Sequence, residues 1–290
     1  MKINVFLATA TPNLSAEKGI LLNMAEGIAK HDVCHIIEHN QYDECDVAVC
    51  LWSPKEDYRG DWSKFNREVF LKQKERSKLT LIIESAFFRS AKPIHWRVGF
   101  NDVGRLAEFA NADSPPDRWD NLKIPLKPWK NNGDHILIIG QLPGDYSLGG
   151  LDFNKWVEDI IPLIRHHTDK KIIFRTHPKL KQRGYSLPNI QIPISTTIDD
   201  VTNSFATISY SSGMSIDSII MGIPTITLSE RSMVWDISGH ALSQLENIPK
   251  NDRIQCLSNI AYAQWTTDEI KRGLPWYRLR QYAINTIGDR

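Results

Sequence analysis

The chain has 290 residues, 41% hydrophobic and 24% charged, the composition of an ordinary globular protein of one large domain or two moderate ones. A formal net charge of +1 gives no global pull toward nucleic acid or an anionic membrane. No apolar run reaches the roughly 18 residues that a membrane-crossing helix needs.

MKINVFLATATPN at the start is too short and too strand-like for a signal peptide. The four cysteines (34, 45, 50 and 256) show no framework spacing, so reduced thiols in a cytoplasm are expected. His35, His39, Cys45 and Cys50 lie close in sequence but match no standard zinc spacing, and no metal site is expected.

In chain order, Ile3–Leu7 reads as a buried strand, and Ser15 can cap a helix carrying Ile20, Leu21, Met24 and Ile28 at helical spacing. Val33–Ile37 and Asp46–Leu51 read as strands. This β-α-β order with short connections argues for a parallel sheet. Residues 55–78 alternate charges with aromatics, and Phe65, Val69, Phe70 and Leu71 predict a helix within them. Leu79–Ile83 is a strand delivering Glu84 at its carboxyl end, where open α/β sheets bind ligands. HWRVGF (95–100) reads as a short strand and Arg105–Phe109 as a short helix. From Asn111 to Asp134 four prolines and an Asn-Asn-Gly predict loop and linker, and the domain boundary falls here.

A second series opens with strand Ile136–Ile139 and a helix with Trp156, Ile160, Ile161 and Ile164 on one stripe. Strands follow at 171–175 and 189–192, then a short helix near Ile198–Asn203. Strand Thr207–Ser209, helix Ser212–Met221 and strand Thr225–Leu228 come next. Helices at 251–264 and 267–288 finish the chain.

Chemistry concentrates between Lys171 and Glu230. The strand in KIIFRTHPK ends at Arg175, Thr176, His177, Pro178 and Lys179, and ISYSSGMSID releases a helix at Ser211, Ser212 and Gly213. A helix start left open presents N–H groups and a positive dipole end, an anion site suited to phosphate. The same residues could also be a simple helix cap. Asp217 could bind ribose hydroxyls or lie solvated on the surface. Gln141, Gly144, Asp145 and Ser147 follow the first strand of the second series, as a ligand loop or a plain turn. The glycines at 140, 144, 149 and 150 do not make the dinucleotide fingerprint, which excludes an NAD reading.

RTHPK and SYSSGMSIDSIIMGIPTI together resemble the nucleotide-sugar half of the capsule polysaccharide biosynthesis glycosyltransferases, the Kdo- and sialyltransferase-like enzymes with His-Pro and Ser-Ser motifs. IIGQLPGDYSLGG (138–150) is similar to their Gln-x-Pro-x-Asp-Ser loop. IIESAFFR (82–89) with VGFN (98–101) is similar to their Glu-x-Gly-Phe and Gly-x-Asn segments, although Ser85-Ala86 lacks the glycine. The resemblance implies a GT-B fold: two Rossmann-like, doubly wound α/β domains with a cleft between them. The acceptor domain would be residues 1–128, the donor domain 129–274, and 275–290 a helix crossing back to the first.

The same resemblance implies transfer of a sugar from a nucleotide-sugar co-substrate to a hydroxyl, inverting and without a metal or other cofactor. Glu84 would be the base, with a structural pair to Arg89 as the bland alternative. His177 would stabilise the leaving phosphate. Arg89, Trp96, Asn101 and Asp102 are the acceptor-side candidates. Residues 55–130 carry an excess of basic residues among Tyr58, Trp62, Phe87, Phe88, Trp96 and Trp129. Such a face could grip an anionic surface glycan or, in a phage-type enzyme, a hydroxymethylated base in DNA; it could also be merely solvated. A non-catalytic nucleotide-sugar-binding protein is the alternative of a different class.

Overall fold

The computed structural model describes residues 1–7, 15–51, 61–130, 132–177 and 197–288. The expected strand 189–192, Pro178, Lys179 and Tyr58 lie outside the described residues, as does the side chain of Trp62. The chain forms two compact units, Met1–Leu122 with Ser258–Arg290, and Lys123–Leu257.

The first unit carries a six-stranded sheet. Its strands are β1 (Ile3–Phe6), β2 (Cys34–Ile37), β3 (Val47–Leu51), β4 (Leu79–Ser85), β5 (His95–Phe100) and β10 (Gln264–Thr266), in the order β10-β5-β4-β3-β1-β2. The first four pair in parallel, and β5 and β10 are antiparallel additions. Every residue of β1 and β3 is buried, the near-continuous apolar pattern of parallel strands covered on both faces. Helix α1 (Ser15–Ile28) lays Ile20, Leu21, Met24 and Ile28 on one face of the sheet, and α2 (Asp61–Glu75) lays Phe65 and Val69 on the other. Cys45 and Cys50 are buried there; burial pushes the Cys45 thiol up to about 12, the behaviour of an inert core thiol.

Three expectations change in this unit. Residues 105–109 form no helix: a tight turn brings Glu108 back to pair with Phe100. The region 251–288 is not two helices but α7 (Ile254–Tyr262), strand β10, α8 (Thr267–Lys271) and α9 (Leu274–Gly288). Thr266 and Glu269 close a reciprocal capping box, and Gly273 (φ +84°) ends the short helix, so one long helix cannot run through. The chain also rejoins the first unit at Ser258, well before residue 275, because Asn111, Ser114 and Arg118 of the short helix α3 (Asp117–Asn121) hydrogen-bond to Asn259, Ala261 and Gln264.

The second unit is a four-stranded parallel sheet, β7-β6-β8-β9. Its strands are β6 (His135–Ile139), β7 (Lys171–Arg175), β8 (Ser204–Ser209) and β9 (Thr225–Thr227). Helix α4 (Phe153–His167) is capped by Asp152 and buries Phe153, Val157, Ile160 and Ile164 on the sheet. Trp156 and Ile161 are only partly buried at its edge. The unit starts at Lys123, before the expected boundary at 128/129. Lys127 and Lys130 donate backbone hydrogen bonds to Ile220 and Gly222, and Gly222 (φ +76°) leaves no room for a Cβ against the Pro128 carbonyl.

Candidate active site

In each unit the chain goes from the first strand to the neighbour on one side and then crosses to the other side of the first strand. The crossing puts the switch point between β6 and β8 in the second unit, and between β1 and β3 in the first. Loops at the carboxyl ends of those strands are where such sheets bind ligands. In the first unit these loops, 8–14 and 52–60, lie outside the described residues. In the second unit most of them are on view.

The loop after β6 is built around Gln141, which is buried. Its Oε1 accepts the Ser211 backbone N–H at 2.8 Å, and its Nε2 donates to Ser211 Oγ at 3.1 Å and Ser147 Oγ at 3.2 Å. Ser211 Oγ donates to the Ser147 carbonyl at 2.9 Å. One amide thereby ties the loop after β6 to the loop after β8 across the switch point. Asp145 shapes the rest: its Oδ1 accepts from Ser147 N and Oγ at 3.1 and 2.9 Å and caps the 3₁₀ turn Tyr146–Leu148. Gly144 (φ +75°) and Gly149 (φ +61°) take the left-handed conformations at either side of that turn. The strand-end Gly140 lies so close to β7 that a Cβ would fall 2.4 Å from the Arg175 carbonyl and 3.1 Å from the His177 nitrogen. Half-buried His177 therefore leaves β7 beside the Gln141 loop.

The expected open helix start is mostly closed. Helix α6 is seven residues, Met214–Ile220, and its first N–H groups are used locally. Met214 N donates to Ser212 Oγ at 3.3 Å, Ser215 N to the Ser212 carbonyl and Ile216 N to the Gly213 carbonyl. Ser211 N belongs to Gln141. Among the described residues, the N–H groups of Ser212 and Gly213 have no partner, so these two are what remains for an anion. Asp217 sits half-buried in the first turn of that helix. Arg175 departs from expectation: its guanidinium pairs with the buried carboxylate of Asp200 on α5 (Thr197–Asn203).

In the first unit, Glu84 does stand near the carboxyl end of β4, and it is buried. Its partner is Arg97 rather than Arg89. The two are cross-strand neighbours in the β4–β5 ladder, with Arg97 Nη2 2.5 Å from Glu84 Oε2, although the contact is not aligned as a hydrogen bond. Arg97 also lies over the Phe87 ring at 4.8 Å. Arg89 is exposed on the loop after β4. Gln264 of β10 registers opposite Arg97, and its Oε1 accepts from Phe87 N and Phe88 N at 3.0 Å each, pinning the turn that follows Glu84.

Asn101 and Asp102 are not with Glu84. Because β5 runs antiparallel to β4, they emerge at the amino end of β4, four residues or about 13 Å along the strand from Glu84. Asn101 (φ +65°) accepts from Thr80 N at 2.9 Å, and Asp102 Oδ1 accepts from Val103 N and Gly104 N at 2.7 and 3.0 Å. Both side chains are fastening a turn. The aromatics read as a grip are in use as well: Phe88 packs on Trp119, Phe87 on Phe109, Trp96 on the sheet core, and Trp129 under Arg253.

Sequence reasoning passed over Arg97, Gln264 and Arg231. The last lies four residues past β9, and the only signal was a charged pair, Glu230-Arg231, just beyond a strand's carboxyl end.

No family model and no curated protein sequence matches the chain. Solved structures do. The β-Kdo 2,4 transferase of Thermosulfurimonas dismutans KpsC superposes with a TM-score of 0.52 at 14% identity, covering 91% of this chain and 90% of that one. The β-Kdo 2,7 transferase of the same protein gives 0.53 at 14% identity, covering 97% and 100%. This chain shares their fold. Two doubly wound α/β units in one chain, matched nearly end to end, are the GT-B class.

Proposed function

We propose that the chain is a glycosyltransferase that takes a sugar from a nucleotide-sugar donor seated on the second unit and passes it to a hydroxyl of a bacterial surface glycan. The observation that carries this reading is Gln141, whose amide locks the loops of β6 and β8 together at the switch point. Rims fixed by buried hydrogen bonds suit a preorganised ligand site. The likeness in fold to two Kdo transferases supports sugar transfer as the activity carried on that fold.

In this reading the Ser212 and Gly213 N–H groups and His177 receive the donor phosphate, with Pro178 and Lys179 continuing the same motif. Gln141, Gly144, Asp145 and Ser147 frame the loop, and Asp217 takes ribose hydroxyls. Glu84 accepts the proton of the acceptor hydroxyl as that oxygen bonds to the anomeric carbon. The carbon–oxygen bond to phosphate breaks, and its electron pair leaves with the nucleotide. A single displacement of this kind inverts the anomeric centre, and in this reading Lys179, His177 and the Ser212 and Gly213 N–H groups offset the phosphate charge in place of a metal. The aromatic grip expected for a glycan or a DNA base loses Phe87, Phe88 and Trp96, which are packed rather than presented, and the fold likeness favours the glycan.

One observation favours a second reading, a nucleotide-sugar-binding protein without transfer activity: Glu84 is already held by Arg97. Incubation with a panel of nucleotide sugars and glycan fragments separates the two. Acceptor-dependent release of nucleotide from one donor class is expected. Tight donor binding without release under any acceptor supports the binding protein, and no binding of any nucleotide sugar refutes both.

A further inference from the structure

The loop after β9 carries a cation that the readings above leave without a role. Arg231 is half-buried, and its backbone N–H donates to Ser229 Oγ at 3.3 Å, which fixes where the side chain starts. The guanidinium lies 5.7 Å from the centre of the Tyr146 ring. Its Nε is 3.2 Å from the point a Cβ on Gly149 would occupy. Tyr146 and Gly149 belong to the loop after β6, and in this sheet β8 stands between β6 and β9. Arg231 therefore reaches from the loop after β9 to the loop after β6, the loop whose Ser147 is tied to Gln141 and Ser211. That loop is one rim of the β6–β8 switch point, joined to the other through Gln141 and Ser211. Gly149 leaves this path open: with φ +61°, it sits where any side chain would press on the guanidinium.

A guanidinium is always charged, and its planar fork matches two phosphate oxygens at once. From this placement we infer that Arg231 binds the phosphate of the nucleotide donor, as a charged clasp at the rim of the β6–β8 switch point. The inference rests on the donor reading proposed above and adds a residue that neither motif nor fold likeness supplied. It also separates what Arg231 reads from what the rest of the site reads. The clasp discriminates nucleotide from nucleoside and is indifferent to the base and to the sugar beyond the phosphate.

Calorimetric titration with the 5′-mono- and diphosphates of uridine, cytidine, guanosine and thymidine, and with the four nucleosides, tests it on wild type, Arg231→Gln, Gly149→Ala and Gln141→Ala. Loss of one charge-assisted contact should weaken the preferred nucleotide roughly tenfold to a hundredfold in Arg231→Gln, with nucleoside binding unchanged. Gly149→Ala should shift affinity in the same direction by displacing the guanidinium without removing it, and serves if Arg231→Gln fails to fold. Nucleotide affinity at the wild-type level in Arg231→Gln, with Gln141→Ala impaired, overturns the clasp and leaves the donor reading standing. A wild-type protein that binds none of the nucleotides overturns the donor reading and the clasp with it.

Discussion

Glu84 and Arg97 face each other across the β4–β5 ladder, carboxylate Oε2 2.5 Å from guanidinium Nη2, both largely buried. An ion pair of this kind fixes the carboxylate's direction. If Glu84 acts in transfer, Arg97 is therefore part of how it acts.

Glu84→Gln keeps shape and removes the proton acceptor, so turnover should fall about 10²- to 10⁴-fold while nucleotide affinity stays within a few-fold of wild type. Asp102→Asn should turn over nearly normally, since Asp102 sits at the other end of β4 fastening Val103 and Gly104. Steady-state rates of the two variants side by side decide it. A dead Asp102→Asn beside an active Glu84→Gln would reverse the assignment.

Replacing Gln141 with Leu removes both partners that Ser211 finds in one amide. A buried Ser211 N–H left unpaired costs about 1–3 kcal/mol. The urea midpoint should drop accordingly, and nucleotide binding should weaken with it because the two loops lose their tie.

Stability should fall in acid through the first unit. Burial pushes the Glu269 carboxyl up, but hydrogen bonds from Arg118 and Thr266 and the Arg118 charge outweigh it and hold the group below its ordinary value. Asp32 follows the same pattern, burial opposed by Arg280 and Trp276, and Asp46 likewise against Lys78 and the Lys2 backbone. A carboxyl depressed on folding stabilises the folded state above its unfolded pKa, about 4, and that contribution disappears as pH falls through the folded value. Urea midpoints from pH 7 to pH 3 should hold steady above about pH 5 and then decline. Glu269→Gln should start lower and decline less.

Helix α1 approaches α8 so closely at Gly27 that a Cβ would lie 2.2 Å from the Ile270 carbonyl and 3.0 Å from Gly273 Cα. Gly27→Ala must push the two helices apart, and a loss of about 1–3 kcal/mol is expected by denaturant titration. An unchanged midpoint would show that the helices reseat freely.

Buried parallel strands were legible in the sequence because they are continuous apolar runs, and so were the helix stripes that cover them. Glu84, Gln141 and Ser211 were legible for the same reason: each follows such a run. The direction of β5 was not, since HWRVGF reads alike in a parallel or antiparallel ladder, and the motif resemblance that grouped Asn101 and Asp102 with Glu84 carries no strand direction. Strand β10 is three residues between two helical patterns, too short for periodicity to register, so Gln264 stayed hidden inside a presumed helix. Arg97 meets Glu84 only through the antiparallel pairing of β4 and β5, and Arg231 meets Tyr146 across 85 residues of chain, neither of which local pattern can express.

The C-terminal return of the chain to the first unit has a consequence for the order of assembly during synthesis. Residues 123–257 can close their own sheet as soon as they emerge. The first unit, begun earlier, must wait with the outer edge of β5 unpaired and the turn after Glu84 unpinned until Gln264–Thr266 arrive. An exposed strand edge invites pairing with another nascent chain. The half of the protein translated first is thus the last to mature, and its vulnerable interval lasts for most of translation.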